Sequence, residues 1–129
     1  MHARGSFDVK LTPQPAAPGI ETAELGRMTI DKQYHGDLIA ASLGEMLAIR
    51  TGVPGSAGYV ALERVTGKLH GRVGSFVLQH SGTMDRGASS LALTVVPDSG
   101  TGELTGLRGA MTIEIDQGKH SYTMDYVLP

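Results

Sequence analysis

Nine positions recur in this chain, and the recurrence limits what it can fold into. Residues 66–74 read Thr-Gly-Lys-Leu-His-Gly-Arg-Val-Gly and residues 101–109 read Thr-Gly-Glu-Leu-Thr-Gly-Leu-Arg-Gly, so Thr-Gly-x-Leu-x-Gly-x-x-Gly occurs twice. Apolar-rich alternation follows each copy, through Phe76 and Leu78 in one case and Met111 and Ile113 in the other. In a β protein, glycines so placed mark turns, bulges and bends of the sheet. The pattern therefore speaks to backbone geometry and carries no chemistry of its own.

Period-two alternation marks strands along most of the chain. Phe7, Val9 and Leu11 alternate with Asp8, Lys10 and Thr12, and Pro13 is expected to end this first strand. Residues 13–23, with Pro13, Pro15, Pro18 and Gly19, read as a Pro-rich connector between the first two strands, because proline donates no ladder hydrogen bond. Met28, Ile30, Lys32 and Tyr34 share one face of the next strand. Residues 38–49 have helix-forming composition, yet Gly44 sits mid-segment and Ile39, Leu43 and Leu47 alternate with smaller residues, which favours a strand. Tyr59, Ala61, Glu63 and Val65 alternate with Val60, Leu62 and Arg64, and a tight hairpin is expected at Thr66-Gly67. Residues 81–87 read as a loop, Leu91, Leu93 and Val95 as a strand, and His120, Tyr122, Met124, Tyr126 and Leu128 as one face of the last strand. Eight strands with short connections predict an all-β fold, a single closed eight-stranded antiparallel β-barrel over residues 1–129, because closure removes unprotected edges.

Composition excludes several function classes. The net charge of -2 provides no footprint for nucleic acid. No cysteine is present, so disulfides, thiol nucleophiles and thiolate-held metals are ruled out and a reducing, cytoplasmic setting is expected. No apolar run reaches the ~18 residues of a membrane span, so neither a membrane partner nor a secretory signal is expected.

Residues 55–63, Gly-Ser-Ala-Gly-Tyr-Val-Ala-Leu-Glu, then residues 67–80, residues 96–104 and the closing His120-Ser121-Tyr122 resemble a family of small bacterial proteins. That family is classed as a domain of unknown function with an allene oxide cyclase-like barrel. The resemblance runs from Phe7 to the Leu128-Pro129 end. It implies an eight-stranded barrel and a homo-oligomer, and it supplies no activity. The plant cyclase rearranges an unstable fatty-acid epoxide inside its barrel, and its functional residues have no counterparts assignable here.

Candidate site residues follow from the strand faces. Glu63 is the candidate catalytic residue: on an inward face its carboxylate would be desolvated, as a general acid or base requires. The alternative puts Val60, Leu62 and the stem of Arg64 inward and leaves Glu63 in water, and both faces carry apolar residues. An inward Glu63 could also pair with an arginine such as Arg72 or Arg108. Tyr59, Glu63, His80, His120 and Tyr122 are the pocket candidates, with His80 and His120 able to meet at one barrel mouth. They lack the His-x-His pair and spaced Glu of a cupin-type centre, so no metal and no cofactor are expected. Residues 98–102, Asp-Ser-Gly-Thr-Gly, lack the lysine and helix of a phosphate loop and read as a turn.

Three functions fit this pattern. The barrel binds a small apolar or amphipathic molecule; or it is a cofactor-independent isomerase or cyclase in which Glu63 or a histidine moves a proton; or its interior is filled and it acts through oligomerisation. The helices of intracellular lipid-binding barrels are replaced by the Pro-rich connector, which excludes that family.

Overall fold

The alternating segments become eight strands: β1 (His2–Gln14), β2 (Gly26–Gly36), β3 (Leu38–Arg50), β4 (Ala57–Leu69), β5 (Arg72–Asp85), β6 (Ala88–Val95), β7 (Arg108–Asp116) and β8 (Lys119–Val127). In the computed structural model, which describes residues 1–129, each strand pairs antiparallel with the next and β8 returns to β1, closing the barrel. The β6–β7 seam is its shortest ladder, with only Leu93 opposite Met111 and Thr94 opposite Ala110. No helix is long and apolar enough to cross a membrane.

Several boundaries differ from the sequence expectation. β1 continues through Pro13, which lies opposite Met28, so the connector begins after Gln14; it contains a short 3-10 turn, Glu21–Ala23. The expected hairpin at Thr66-Gly67 is instead a turn at His70-Gly71, where both residues have positive φ. Gly67 stays in β4, opposite Gly74, because a Cβ there would overlap the backbone of Ile39 and Ala40. Residues 81–85, expected as a loop, extend β5 as far as the turn at Arg86-Gly87. β3 is a strand as expected, with Ala40 and Ser42 inward and Ile39, Leu43 and Leu47 on the outer surface.

The repeat folds in two ways. Its first copy is the β4–β5 hairpin, whereas its second opens with a 3-10 turn, Gly102–Leu104. The two copies abut: Val73 N–H donates to Glu103 Oε1 at 3.0 Å, and Thr101 N–H donates to the Ser75 carbonyl at 2.8 Å. Leu104 and Leu107 are thereby sealed against one end of the barrel, in one core cluster with Leu69, Phe76 and Tyr126. Tyr122, Met124 and Tyr126 all point inward. A filled interior is thus correct only for this half; the other half is open.

Candidate functional site

Inward positions on four consecutive strands converge at the boundary between the two halves. Lys32 lies directly across the β2–β3 ladder from Ser42, Gly44 faces Glu63 across β3–β4, and Ala61, two residues from Glu63, faces His80 across β4–β5. Diagonal neighbours of this kind are within reach of long side chains. Glu63 is only 1% exposed and Lys32 5%. The carboxylate accepts from Tyr34 Oη at 2.6 Å and from Ser42 Oγ at 3.0 Å, and Lys32 Nζ lies 3.2 Å from Oε2 and 3.3 Å from Oε1. Lys32 Nζ also sits over the Phe7 ring, 4.8 Å from its centroid, a cation–π contact that helps hold a desolvated ammonium.

His80 is the least satisfied member. Its Nδ1 is 3.3 Å from Tyr59 Oη, while Nε2 is 3.4 Å from Glu63 Oε1 without the alignment of a hydrogen bond. A carboxylate only accepts, so the tautomer that suits this arrangement carries its proton on Nε2 and accepts from the Tyr59 hydroxyl at Nδ1. The result is a Tyr59–His80–Glu63 series leading from the open half toward the sealed carboxylate, hydrogen-bonded between Tyr59 and His80 and in longer electrostatic contact between His80 and Glu63.

Burial alone would raise the Glu63 pKa. The opposing hydrogen-bonding and charge effects of His80, Lys32 and Tyr34 outweigh it and hold the carboxyl at about 2. Because His80 is poorly aligned, we assign most of that stabilisation to Lys32 and Tyr34. Burial pulls the Lys32 pKa down against the charge of Glu63, and burial reinforced by Glu63 pushes the Tyr34 phenol far above its ordinary value. Tyr59 is raised for the same two reasons. Glu63 and Lys32 have the geometry of a buried ion pair, Nζ 3.2 Å from Oε2 with both side chains out of water.

Above this cluster the barrel opens into a cavity of about 650 Å³, with 13 hydrophobic residues among the 22 that line it. Apolar walls with a few polar groups at the base are the usual composition of a small-molecule site. Phe7, Lys32, Tyr59, His80 and His120 bring aromatic and polar groups to its wall, alongside Arg50, Thr83, Ser89 and Ser90. No group of three or more His, Cys, Asp or Glu side chains is placed to hold a metal ion.

Residues 3–126 match the family described as a protein of unknown function, DUF3224. The chain belongs to the DUF3224 family. It is also similar to a crystal structure of a protein with unknown function from the same family, from Shewanella oneidensis MR-1, at 52% identity and a TM-score of 0.92 over 100% of this chain and 98% of that one. Comparison with curated proteins finds no match.

In this DUF3224 barrel the five pocket candidates separate. Tyr59, His80 and His120 line the cavity. Glu63 points inward, but it lies beneath the wall and pairs with Lys32; neither Arg72 nor Arg108 reaches it. Tyr122 does not belong to the cavity: its hydroxyl donates to the His35 carbonyl at 2.9 Å and accepts from Leu38 N–H at 2.9 Å in the closed half. Lys32, Tyr34 and Ser42 were not anticipated as site residues. The available signal was a lysine on the otherwise apolar and aromatic face of Met28, Ile30 and Tyr34, since a charge on such a face needs a buried partner.

Proposed function

We propose that this barrel binds a small, largely apolar or amphipathic molecule in its open half. The observation that carries the reading is an apolar cavity whose base presents Tyr59 and His80 above a buried ion pair. A barrel serving only as a scaffold has no need to keep an ionised pair beneath an unfilled cavity. A cytoplasmic setting and an allene oxide cyclase-like barrel belong to this proposal, the first supported by the absence of cysteine and the second by the eight closed antiparallel strands. Untargeted mass spectrometry of material co-purifying with the protein tests it, together with fluorescence titration of the neutral apolar dye N-phenyl-1-naphthylamine. Dye uptake by the wild type, abolished by Ala57→Phe at the cavity wall, is expected; no uptake by the wild type overturns the proposal.

A second reading, a cofactor-independent isomerase or cyclase, is favoured by the Tyr59–His80–Glu63 chain. His80 would take or give the proton at a bound molecule, Tyr59 would orient its ring and the nearby Glu63 carboxylate would favour its charged form. Once a ligand is identified, Glu63→Gln is expected to abolish turnover while sparing binding, and unchanged turnover rejects the reading.

Self-association of the chain is part of the same proposal. Leu43 (68% exposed), Leu47, Val60 and Leu62 (54% exposed) form an apolar stripe on the outside of β3 and β4, with Arg64 and Glu45 on the same face. Glu45 already holds Arg27 at 2.6 Å, and a two-fold axis crossing this face between Arg64 and Glu45 would set Arg64 of each copy against Glu45 of the other. Light scattering of wild type and Leu43→Lys tests this: a dimer or larger assembly that the variant dissociates is expected, and a monomeric wild type overturns it.

A further inference from the structure

The wall of the cavity is ionically one-sided. The chain has 13 acidic residues and none lines the cavity, whereas Lys32, Arg50, His80 and His120 all do. Arg50 and His120 take part in none of the chain's ion pairs. Glu63 lies behind Lys32 and is closed off from the cavity, so an anion entering by the mouth meets the ammonium before the carboxylate. At the base, Lys32 Nζ and the His120 ring approach the same Phe7 ring, at 4.8 Å and 5.1 Å from its centroid. An ammonium and an imidazole thus gather around one aromatic side chain at the floor.

The shape is equally selective. β1 lines the cavity from Phe7 at the floor through Val9 to Leu11 at the rim. Four residues of strand rise about 13 Å, which the strand tilt of a barrel reduces to about 10 Å along its axis. A volume of about 650 Å³ over so short a depth is broader than one alkyl chain fills.

We propose that the ligand is a compact monocarboxylic acid with a broad apolar body, of the fused-ring aromatic kind, whose carboxylate sits at the floor beside Phe7, within reach of Lys32 and His120. This rests on the ligand-binding reading above and adds charge and shape to it. The apolar body lies against Val9, Ile30, Met46 and Ile113, and no wall carboxylate repels the head.

Calorimetric titration of the full chain with 2-naphthoate, with its neutral counterpart 2-naphthalenemethanol and with palmitate tests the proposal. The acid is expected to bind at least about tenfold more tightly than the alcohol, the scale of one charge-assisted hydrogen bond, and more tightly than palmitate. In the double variant Lys32→Met/Glu63→Gln, which leaves no unpaired charge, the acid-to-alcohol ratio is expected to fall toward one. His120→Phe, at an ion-pair-free side chain on the wall, is expected to lower the ratio several-fold and serves as the test if the double variant does not fold. Equal affinity for acid and alcohol in the wild type overturns the charge assignment and leaves the binding reading intact. Preference for palmitate overturns the assigned shape, and a ratio unchanged in the variants overturns the floor position. Failure of all three compounds and of the neutral dye to bind overturns this inference together with the binding reading.

Discussion

Replacing Lys32 by methionine keeps most of the side-chain volume and removes the cation from beneath the cavity. In the wild type, Glu63 is held at about 2 against an ordinary 4.5, which corresponds to at most about 3 kcal/mol of stability at neutral pH, since the poorly aligned His80 supplies less than a full hydrogen bond. A depressed carboxyl stabilises the fold above its unfolded pKa, so this contribution is complete above about pH 4.5 and is lost as pH falls toward 2. Without Lys32, burial acts on Glu63 against only Tyr34, Ser42 and a poorly aligned His80. The folded-state pKa then rises above the unfolded value, and the sign of the linkage reverses: the variant gains stability as pH falls from 7 to 5, where the wild type changes little through this group.

The expected loss at pH 7 is about 3–5 kcal/mol, the usual cost of breaking a buried pair on one side. With an unfolding entropy near 2.1 cal/mol/K per residue, that loss lowers Tm by roughly 10–20 °C for a chain of this size. Urea unfolding followed by circular dichroism at pH 7 and pH 5 measures it, with Lys32→Met/Glu63→Gln as the control. The double variant is expected to recover at least half of the loss, because glutamine retains hydrogen-bonding capacity toward Tyr34 and Ser42 and leaves no buried charge. Equal losses in the single and double variants, with no difference between the two pH values, would refute a buried ion pair at Lys32 and Glu63.

Two glycines make opposite predictions from the same substitution. A Cβ at Gly44 overlaps the Leu62 carbonyl oxygen and comes within 2.7 Å of Glu63 Cα, backbone that cannot retreat without parting β3 from β4, so Gly44→Ala is expected to cost more than about 3 kcal/mol by urea midpoint. At Gly82 the Cβ meets the Tyr59 ring, which can swing away; Gly82→Ala is expected to cost less than about 1.5 kcal/mol while weakening dye binding, as Tyr59 leaves His80. Leu104→Ala, in the sealed end, is expected to cost about 2–5 kcal/mol and to leave the affinity of the dye unchanged, since the opposite half holds it.

The strands were legible because side-chain period and strand period are the same, and β8 shows it best: Tyr122, Met124 and Tyr126 are inward as their alternation requires. The direction of Glu63 was not legible. Val60 and Leu62 compete with Ala61 and Val65 for the interior, and the structure leaves the first two exposed. Alternation names two faces, and where both are apolar only the neighbouring strands decide between them. In this chain the decision comes from Lys32 and Ser42, whose partner lies 31 and 21 residues further along. A buried ion pair is a non-local fact, and one half of it on a mixed face is too weak a sign.

The repeat shows the same division between local and distant information. Gly71 and Gly106 occupy one repeat position and both have positive φ, and Leu69 and Leu104 occupy another and both are buried. Those properties belong to the motif itself. Whether it becomes a hairpin or a 3-10 turn depends on what flanks it: β4 runs directly into the first copy, whereas the second follows the Val96–Gly100 connection and has no strand entering it. That second form carries Leu104 and Leu107 across one end of the barrel. The consequence reaches the site: with that end sealed, the cavity over Tyr59, His80 and Lys32 opens toward the end of the barrel ringed by the β1–β2, β3–β4, β5–β6 and β7–β8 connections. The glycine repeat therefore has no part in binding, yet it fixes the direction from which a ligand must arrive.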